Sequence, residues 1–310
     1  MKKINKIAIS VLSVLIFIGV LIFPINRKDS KPEQPSIVQE NQFFNPLKKY
    51  LVSEGIPGDF LDTLFSDTRI EYYPGILYDK QKLPPYQTGL EASQTKTQFH
   101  KYNLHHFIDE YSEYFDKAWE KYQVDTESIS AVLYVETKFG SWIGKHSTLN
   151  VLISMAMADQ EFALEDLKHY VEQEYHYMNH KKREYIKEYY VNYARRKANR
   201  AKKELAILLQ LDRQNKVNVR ILTGSYAGAF GYPQFLPSSY KKYAVDGDNN
   251  GRVDLFTFPD AIMSVGNFLA NHGWSPHLYA QKKALRRYNN SQRYVADVLN
   301  TARYFDRQRN

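Results

Sequence analysis

The chain has 310 residues, 43% of them hydrophobic and 25% charged, a globular balance with room for one large or two ordinary domains. It contains no cysteine, which excludes thiol catalysis, disulfides, Cys-based zinc or iron–sulfur sites and a lipidated N-terminal cysteine. A formal net charge of +8 favours anionic partners (nucleic acid, an anionic membrane surface or an acidic polymer), and 25 tyrosines suit sugar or base stacking as well as core packing.

The first six residues, MKKINK, carry three lysines, and the nineteen residues of 7–25 carry no charge. As a helix that run spans about 28 Å, close to one bilayer core. No clear A-x-A cleavage site follows. We read 7–25 as a transmembrane anchor, with 1–6 cytoplasmic and the body outside the cell membrane. A cleaved signal peptide with secretion is the alternative, and either argues against a nucleic-acid partner. Residues 26–42 are charged, Pro-containing and aperiodic, so they form a linker.

From Phe43 the chain is patterned. NPLKKYLVSEGIPGDFLDTLFSD predicts two short helices about a turn at 55–58, and a Pro/Gly/Gln-rich stretch at 74–96 is irregular. TQFHKYNLHHFIDEYSEYFDKAWEKYQV predicts one long amphipathic helix. SAVLYVETKFG, 130–140, follows as a short helix with Gly140 as its stop. Residues 160–212 are helical and highly charged, with Tyr185, Tyr189 and Tyr193 on a stripe expected to pack inward. GSYAGAFGYPQFLPSSY is punctuated by Gly and Pro, and an Asp/Asn/Gly loop, a helix at 259–271 and terminal helices complete a mainly α chain.

Two features carry chemistry. Glu136 falls in the apolar arc of Ile129, Val132 and Leu133, near a helix C-terminus. Desolvation and the helix dipole both raise a carboxyl pKa there, as general acid catalysis of glycosidic cleavage requires. A helix-border glutamate paired with a lysine fits this single position too. In DGDNNGRVDLFTFPD, oxygen side chains recur at Asp246, Asp248 and Asn250, Gly251 stands sixth, and Arg252 would offer its backbone carbonyl. Asp254 would act directly or through water. Thr257 occupies position twelve, so Asp260 must close the loop. A metal-free turn, sodium or weakly held calcium remain open. Ser238-Ser-Tyr-Lys241 lacks the companion motifs of serine acylases, and His176 with His180 lacks the zinc-site glutamate.

Taken in order, YVETKFG, GSYAGAFGYPQFLPSSYKKYAVDGDNNGRVDLFTFPDAI, NHGW and RRYNNSQRY resemble the membrane-bound lytic murein transglycosylase B family over about 43–300. The resemblance implies a lysozyme-like, mainly α catalytic domain over 43–310, with small β elements, an EF-hand-like loop and a helical insertion at about 165–210. It implies cleavage between N-acetylmuramic acid and N-acetylglucosamine in peptidoglycan, with formation of a 1,6-anhydro ring. A hydrolytic muramidase on the same fold and a non-catalytic wall-binding scaffold are the rival readings. Glu136 matches the catalytic acid/base, and Ser225, Gln234, Tyr288, Asn289 and Tyr294 match the sugar cleft. Asp246, Asp248, Asn250 and Asp260 match the variant metal loop, to which the spacing adds the Arg252 carbonyl; calcium is the ion this favours, and no organic cofactor is implied. Pro233 replaces a usual glycine, and Phe268 a frequent cleft tyrosine. The insertion is expected to form an extra helical lobe for wall polymer or a partner protein.

Overall fold

The computed structural model describes residues 42–78 and 104–309. The anchor at 7–25, nearly all of the linker and most of the irregular stretch lie outside the described residues. Among the described residues no helix is long and apolar enough to cross a membrane.

Twelve helices and one short strand pair make up the described chain. They are α1 (Asn45–Ser53), α2 (Gly58–Phe65), α3 (Leu104–Glu110), α4 (Ser112–Tyr122), α5 (Thr126–Thr137) and β1 (His146–Ser147). There follow α6 (Thr148–Ala156), α7 (Glu161–Glu174), α8 (His180–Arg213), β2 (Thr223–Gly224) and α9 (Pro237–Tyr243). The chain ends with α10 (Phe258–Asn271), α11 (Leu278–Tyr288) and α12 (Gln292–Arg309). The strands are antiparallel, His146 opposite Gly224 and Ser147 opposite Thr223.

Helix α5 lies between α10 and α12, and α10 also packs on α4. Asp125 starts α5 by accepting a hydrogen bond from the Ser128 amide at 2.8 Å. Ile129, Ala131, Val132 and Leu133 are wholly buried in the main core, joined there by Val265 and Leu269 of α10 and Val298 of α12. A helix surrounded on most sides must be apolar on most sides, which is why α5 carries few charges.

Two expectations from periodicity change. The predicted long helix is divided at Tyr111 into α3 and α4, and its first residues, 97–103, lie outside the description. The Tyr111 ring packs against Phe107 (5.2 Å between centroids) and Phe258 (5.0 Å), a tertiary contact that overrides local pattern. The second concerns α8, one continuous helix of 34 residues. Its C-terminal half belongs to the main core through Ala201, Leu205, Leu208 and Leu209, packed on α6 and α9. Its N-terminal half packs on α7 and on the 77–78 segment, around Leu164, Leu167 and Ala194 with Leu77, Tyr78, Tyr190 and Val191. The expected lobe is therefore half lobe and half core. The buried leucines set the helical phase, and extended backward it turns Tyr190 and Ala194 inward. Tyr185 and Tyr189, expected to face inward, are instead 71% and 53% exposed.

Candidate active site

Glu136 stands in the last turn of α5, which ends at Thr137. The expected stop at Gly140 comes two residues too late: Lys138 caps the helix with φ of 50°, and Phe139 continues left-handed at 52°. The Lys138 amide donates to the Tyr134 carbonyl (2.8 Å) and the Phe139 amide to that of Leu133 (3.3 Å), a close that satisfies the terminal carbonyls. Non-glycine residues rarely adopt that conformation. Two in succession beside a functional side chain mark a backbone held by its surroundings.

Thr137 supplies one such hold. Its hydroxyl is hydrogen-bonded to the Tyr232 carbonyl at 3.0 Å and accepts from the Gly140 amide at 3.1 Å. The helix end is thereby joined to the 231–235 turn, 95 residues away in sequence. Sequence reasoning missed Thr137, since a threonine beside a functional residue carries no signal of its own.

The Glu136 carboxyl is partly accessible yet closely surrounded, and burial pushes it up to about 7. Tyr294 opposes part of that rise through a polar interaction with the carboxylate. The Tyr294 hydroxyl is buried and closes no hydrogen bond of normal geometry. The Tyr288 hydroxyl donates to the Pro233 carbonyl at 2.6 Å, and the two phenol rings stack at 6.1 Å and 16°. Both phenols titrate well above their usual range, first from burial and then from the nearby Glu136 charge, so both remain proton donors. Glu136 does lie at the helix border, but no lysine or arginine forms an ion pair with it among the described residues, so the lysine partner of the border-residue alternative is missing.

Phe268, the departure from tyrosine, is buried and packs edge-on against Tyr288 at 4.6 Å. Gln234 has a φ of 49°, and its Nε2 donates to the Gly231 carbonyl (2.8 Å) and the Ile143 carbonyl (3.2 Å). Pro233 thus leaves the amide clipped to its own turn and to the 138–145 loop. The Ser225 hydroxyl accepts from the Ala227 and Ala229 amides, both at 3.3 Å, and orders the next turn. Gly144 connects that loop to Ser225: a Cβ there would lie 2.2 Å from the Gly224 carbonyl oxygen, so no larger residue fits. Glu136, Tyr288 and Tyr294 form one group, while Gln234 and Ser225 meet it through the 138–145 loop and the 231–235 turn. Asn289 is exposed at the end of α11, directly after Tyr288.

The acidic loop is a second centre. One carboxylate oxygen from each of Asp246, Asp248 and Asp260 lies within 4.8 Å of the others. Asp260 is fully buried, its oxygens accepting from the Gly247 amide (2.7 Å) and the Asp254 amide (2.5 Å). Burial raises its pKa, those two hydrogen bonds lower it, and the charges of Asp248 and Asp246 raise it further. Asp246 accepts from the Asn250 and Gly251 amides, and Gly251 takes the φ of 88° that the turn requires. The Asn250 side-chain oxygen caps the Arg252 amide at 2.9 Å, and the Arg252 side chain is exposed. Asp254 turns away from the cluster to accept from the Phe256 amide at 2.9 Å. Three carboxylates held together by backbone donors, one of them buried, fit a hard cation with oxygen ligands. Ser238 has another occupation: its amide and hydroxyl both donate to the buried Glu204 carboxylate, at 2.9 and 2.8 Å.

Residues 39–280 match the family described as the Transglycosylase SLT domain. A stretch of 168 residues is 33% identical to membrane-bound lytic murein transglycosylase B of Escherichia coli K12, covering 54% of this chain and 37% of that protein. In structure, the Escherichia coli lytic transglycosylase SLT35 in complex with calcium superposes with a TM-score of 0.56 at 20% identity, over 87% of this chain and 93% of that one. SltB3 of Pseudomonas aeruginosa in complex with NAG-NAM-pentapeptide gives 0.58 at 17% identity, over 86% and 79%. At such identities these two likenesses establish the fold. The family match runs through α1, the Glu136 helix, the 231–235 turn and the acidic loop, and this chain belongs to the Transglycosylase SLT domain family.

Proposed function

We infer that this chain is a peptidoglycan lytic transglycosylase with Glu136 as its single acid/base. The observation that carries the reading is a carboxyl raised to about 7 by burial, with no lysine or arginine in ion pair with it among the described residues. A carboxyl that holds its proton near neutral pH suits a general acid, and a single acid/base suits a substrate-assisted reaction.

Protonated Glu136 donates to the glycosidic oxygen as the bond from C1 of N-acetylmuramic acid to O4 of N-acetylglucosamine breaks. The muramoyl N-acetyl oxygen bonds to C1 in its place. The C6 hydroxyl oxygen then displaces it, giving its proton to the Glu136 carboxylate and closing the 1,6-anhydro ring. Atoms balance without water, and the acid is restored. Tyr288 and Tyr294 wall the carboxyl from solvent, while Ser225, Gln234 and Asn289 contact the sugars. That SltB3 has been seen with NAG-NAM-pentapeptide supports the substrate class.

Digesting purified sacculi with residues 43–310 and weighing the products tests this directly. Products ending in 1,6-anhydro-N-acetylmuramic acid are expected. Reducing ends would make the chain a hydrolytic muramidase, and binding without cleavage a scaffold.

Asp246, Asp248, Asn250, the Arg252 carbonyl and Asp260 would hold calcium, a reading supported by the calcium complex of SLT35. The ion would neutralise the loop's charges. The membrane-bound relative supports an anchor at 7–25 with the body outside the cytoplasm. The middle of α8, reaching from its outer half into its inner half, is the surface for wall polymer or a wall protein: between 189 and 203 the helix has six basic residues and no acidic one. Arg195 and Arg196 are exposed and in no ion pair among the described residues. Deleting the segment would strip Ala198 and Ala201 from the interior, so charge reversal is the usable probe. Replacing Arg195 and Arg196 by Glu is expected to weaken sacculus binding with Tm unchanged; undiminished binding would remove the role.

A further inference from the structure

Trp142 is 75% exposed, against 48% for Trp119 and 9% for Trp274, the other tryptophans of the chain. Among the described residues its ring meets no other aromatic ring and its Nε1–H donates no hydrogen bond. A wet indole could ride on a loose loop. This one does not.

Its own amide donates to the Thr137 carbonyl at 2.9 Å, directly after Glu136. The next carbonyl, of Ile143, accepts from Gln234 Nε2 at 3.2 Å. Gly144 is pressed on the backbone of Gly224 and Ser225, and Gly140 on the Tyr232 ring, where added Cβ atoms would lie 2.2 Å and 2.6 Å from the nearest atoms. The indole is therefore carried by a short segment clamped to the helix of the proposed acid, to the Gln234 turn and to the Ser225 turn. A backbone fixed in this way has paid the segment's ordering entropy in advance, so binding at the indole has only the side chain left to order.

The partner must be flat, apolar on one face and polar at its rim, since the indole offers a π face and one rim donor. A pyranose ring meets that description: axial C–H groups lie on the ring face and hydroxyl acceptors around the edge. We propose that Trp142 is a saccharide-stacking platform that holds one pyranose of the glycan strand while the scissile bond lies at Glu136. The proposal rests on the glycan-cleaving reading of the same site.

The test uses the full chain and a defined N-acetylglucosamine–N-acetylmuramic acid tetrasaccharide. In a Glu136→Gln background the fragment is expected to perturb tryptophan fluorescence. Trp142→Ala should remove that response and weaken affinity about tenfold, the upper range for one aromatic stacking contact. Trp142→Phe should restore most of the affinity, and Trp119→Ala should leave both intact. With Glu136 present, Trp142→Ala should raise KM while kcat changes little, because a platform binds ground and transition states alike. Affinity and KM unchanged in Trp142→Ala, with the wild type cleaving normally, would overturn the platform and leave the proposed activity standing. A wild type that neither binds nor cleaves the fragment would overturn both.

Discussion

Glu136→Gln is expected to lower kcat by about 10²–10⁴-fold, the usual contribution of a general acid, and to make the protein more stable at pH 8. The first effect follows because glutamine cannot give a proton to the leaving oxygen or take one from C6. The second follows from what raises the carboxyl from 4.5 to about 7, chiefly burial. Below the unfolded value both states carry the proton and the fold bears no cost. As pH rises through 4.5 to 7 the unfolded state ionises first, so stability falls, and above 7 the loss is complete. At 1.36 kcal/mol per unit the ceiling is about 3 kcal/mol. Because the carboxyl is partly accessible, solvent screening brings that toward about 1–2 kcal/mol. Glutamine has no charge to desolvate, so the Tm advantage of the variant should grow from pH 4 to pH 8, reaching about 2–8 °C. Cleavage by the wild type should decline above about pH 7, as the acid form disappears. An active Glu136→Gln enzyme would remove the proposed mechanism, and a Tm difference independent of pH would mean that burial does not shift the carboxyl.

Calcium should produce the second large effect. Asp246, Asp248 and Asp260 hold their oxygens within 4.8 Å of one another, and their mutual repulsion is a standing cost that a divalent cation converts to attraction. At calcium 100-fold above Kd the folded state gains about 2.7 kcal/mol by mass action, or about 5–10 °C in Tm for a chain of this size. Asp260→Asn keeps an oxygen for the Gly247 or Asp254 amide but removes the buried charge, so its Tm should not respond to calcium. The effect reaches the site: the Leu255 carbonyl accepts from the Tyr232 amide at 2.8 Å, and Phe258 stacks on the Tyr232 ring at 4.4 Å. Millimolar calcium without a Tm shift in the wild type would show that the loop closes on its own hydrogen bonds.

Local chemistry was legible in the sequence wherever neighbours along the chain decide it. The first two helices, the helix placed at 259–271, the spacing of the acidic loop and the apolar setting of Glu136 all depend on residues within one or two turns. The misses share a different cause. Tyr111 divides a periodic segment because Phe258 lies against it, and no window of sequence contains both. The phase at Tyr185 and Tyr189 is dictated by leucines 16 or more residues downstream in the same helix, beyond the reach of a local stripe. Gly140 looked like the helix stop because glycine is the easy left-handed residue, yet the Thr137–Tyr232 contact requires the turn earlier and Lys138 adopts it. Trp142 carried no pattern at all; its place is visible only through what its neighbours grip.

The continuity of α8 has a mechanical consequence. A helix of 34 residues is a rod of about 51 Å, clamped in the main core over its inner half and braced by α7 over its outer half. Any load on the outer half must be borne where the rod is clamped, at Leu205, Leu208 and Leu209 and at Glu204, which holds the start of α9 through Ser238. Helix α9 follows directly on the turn that carries Gln234. Tension from a wall strand caught on the outer arm would therefore be delivered, through α8 and the α7 helix that braces it, to one wall of the cleft.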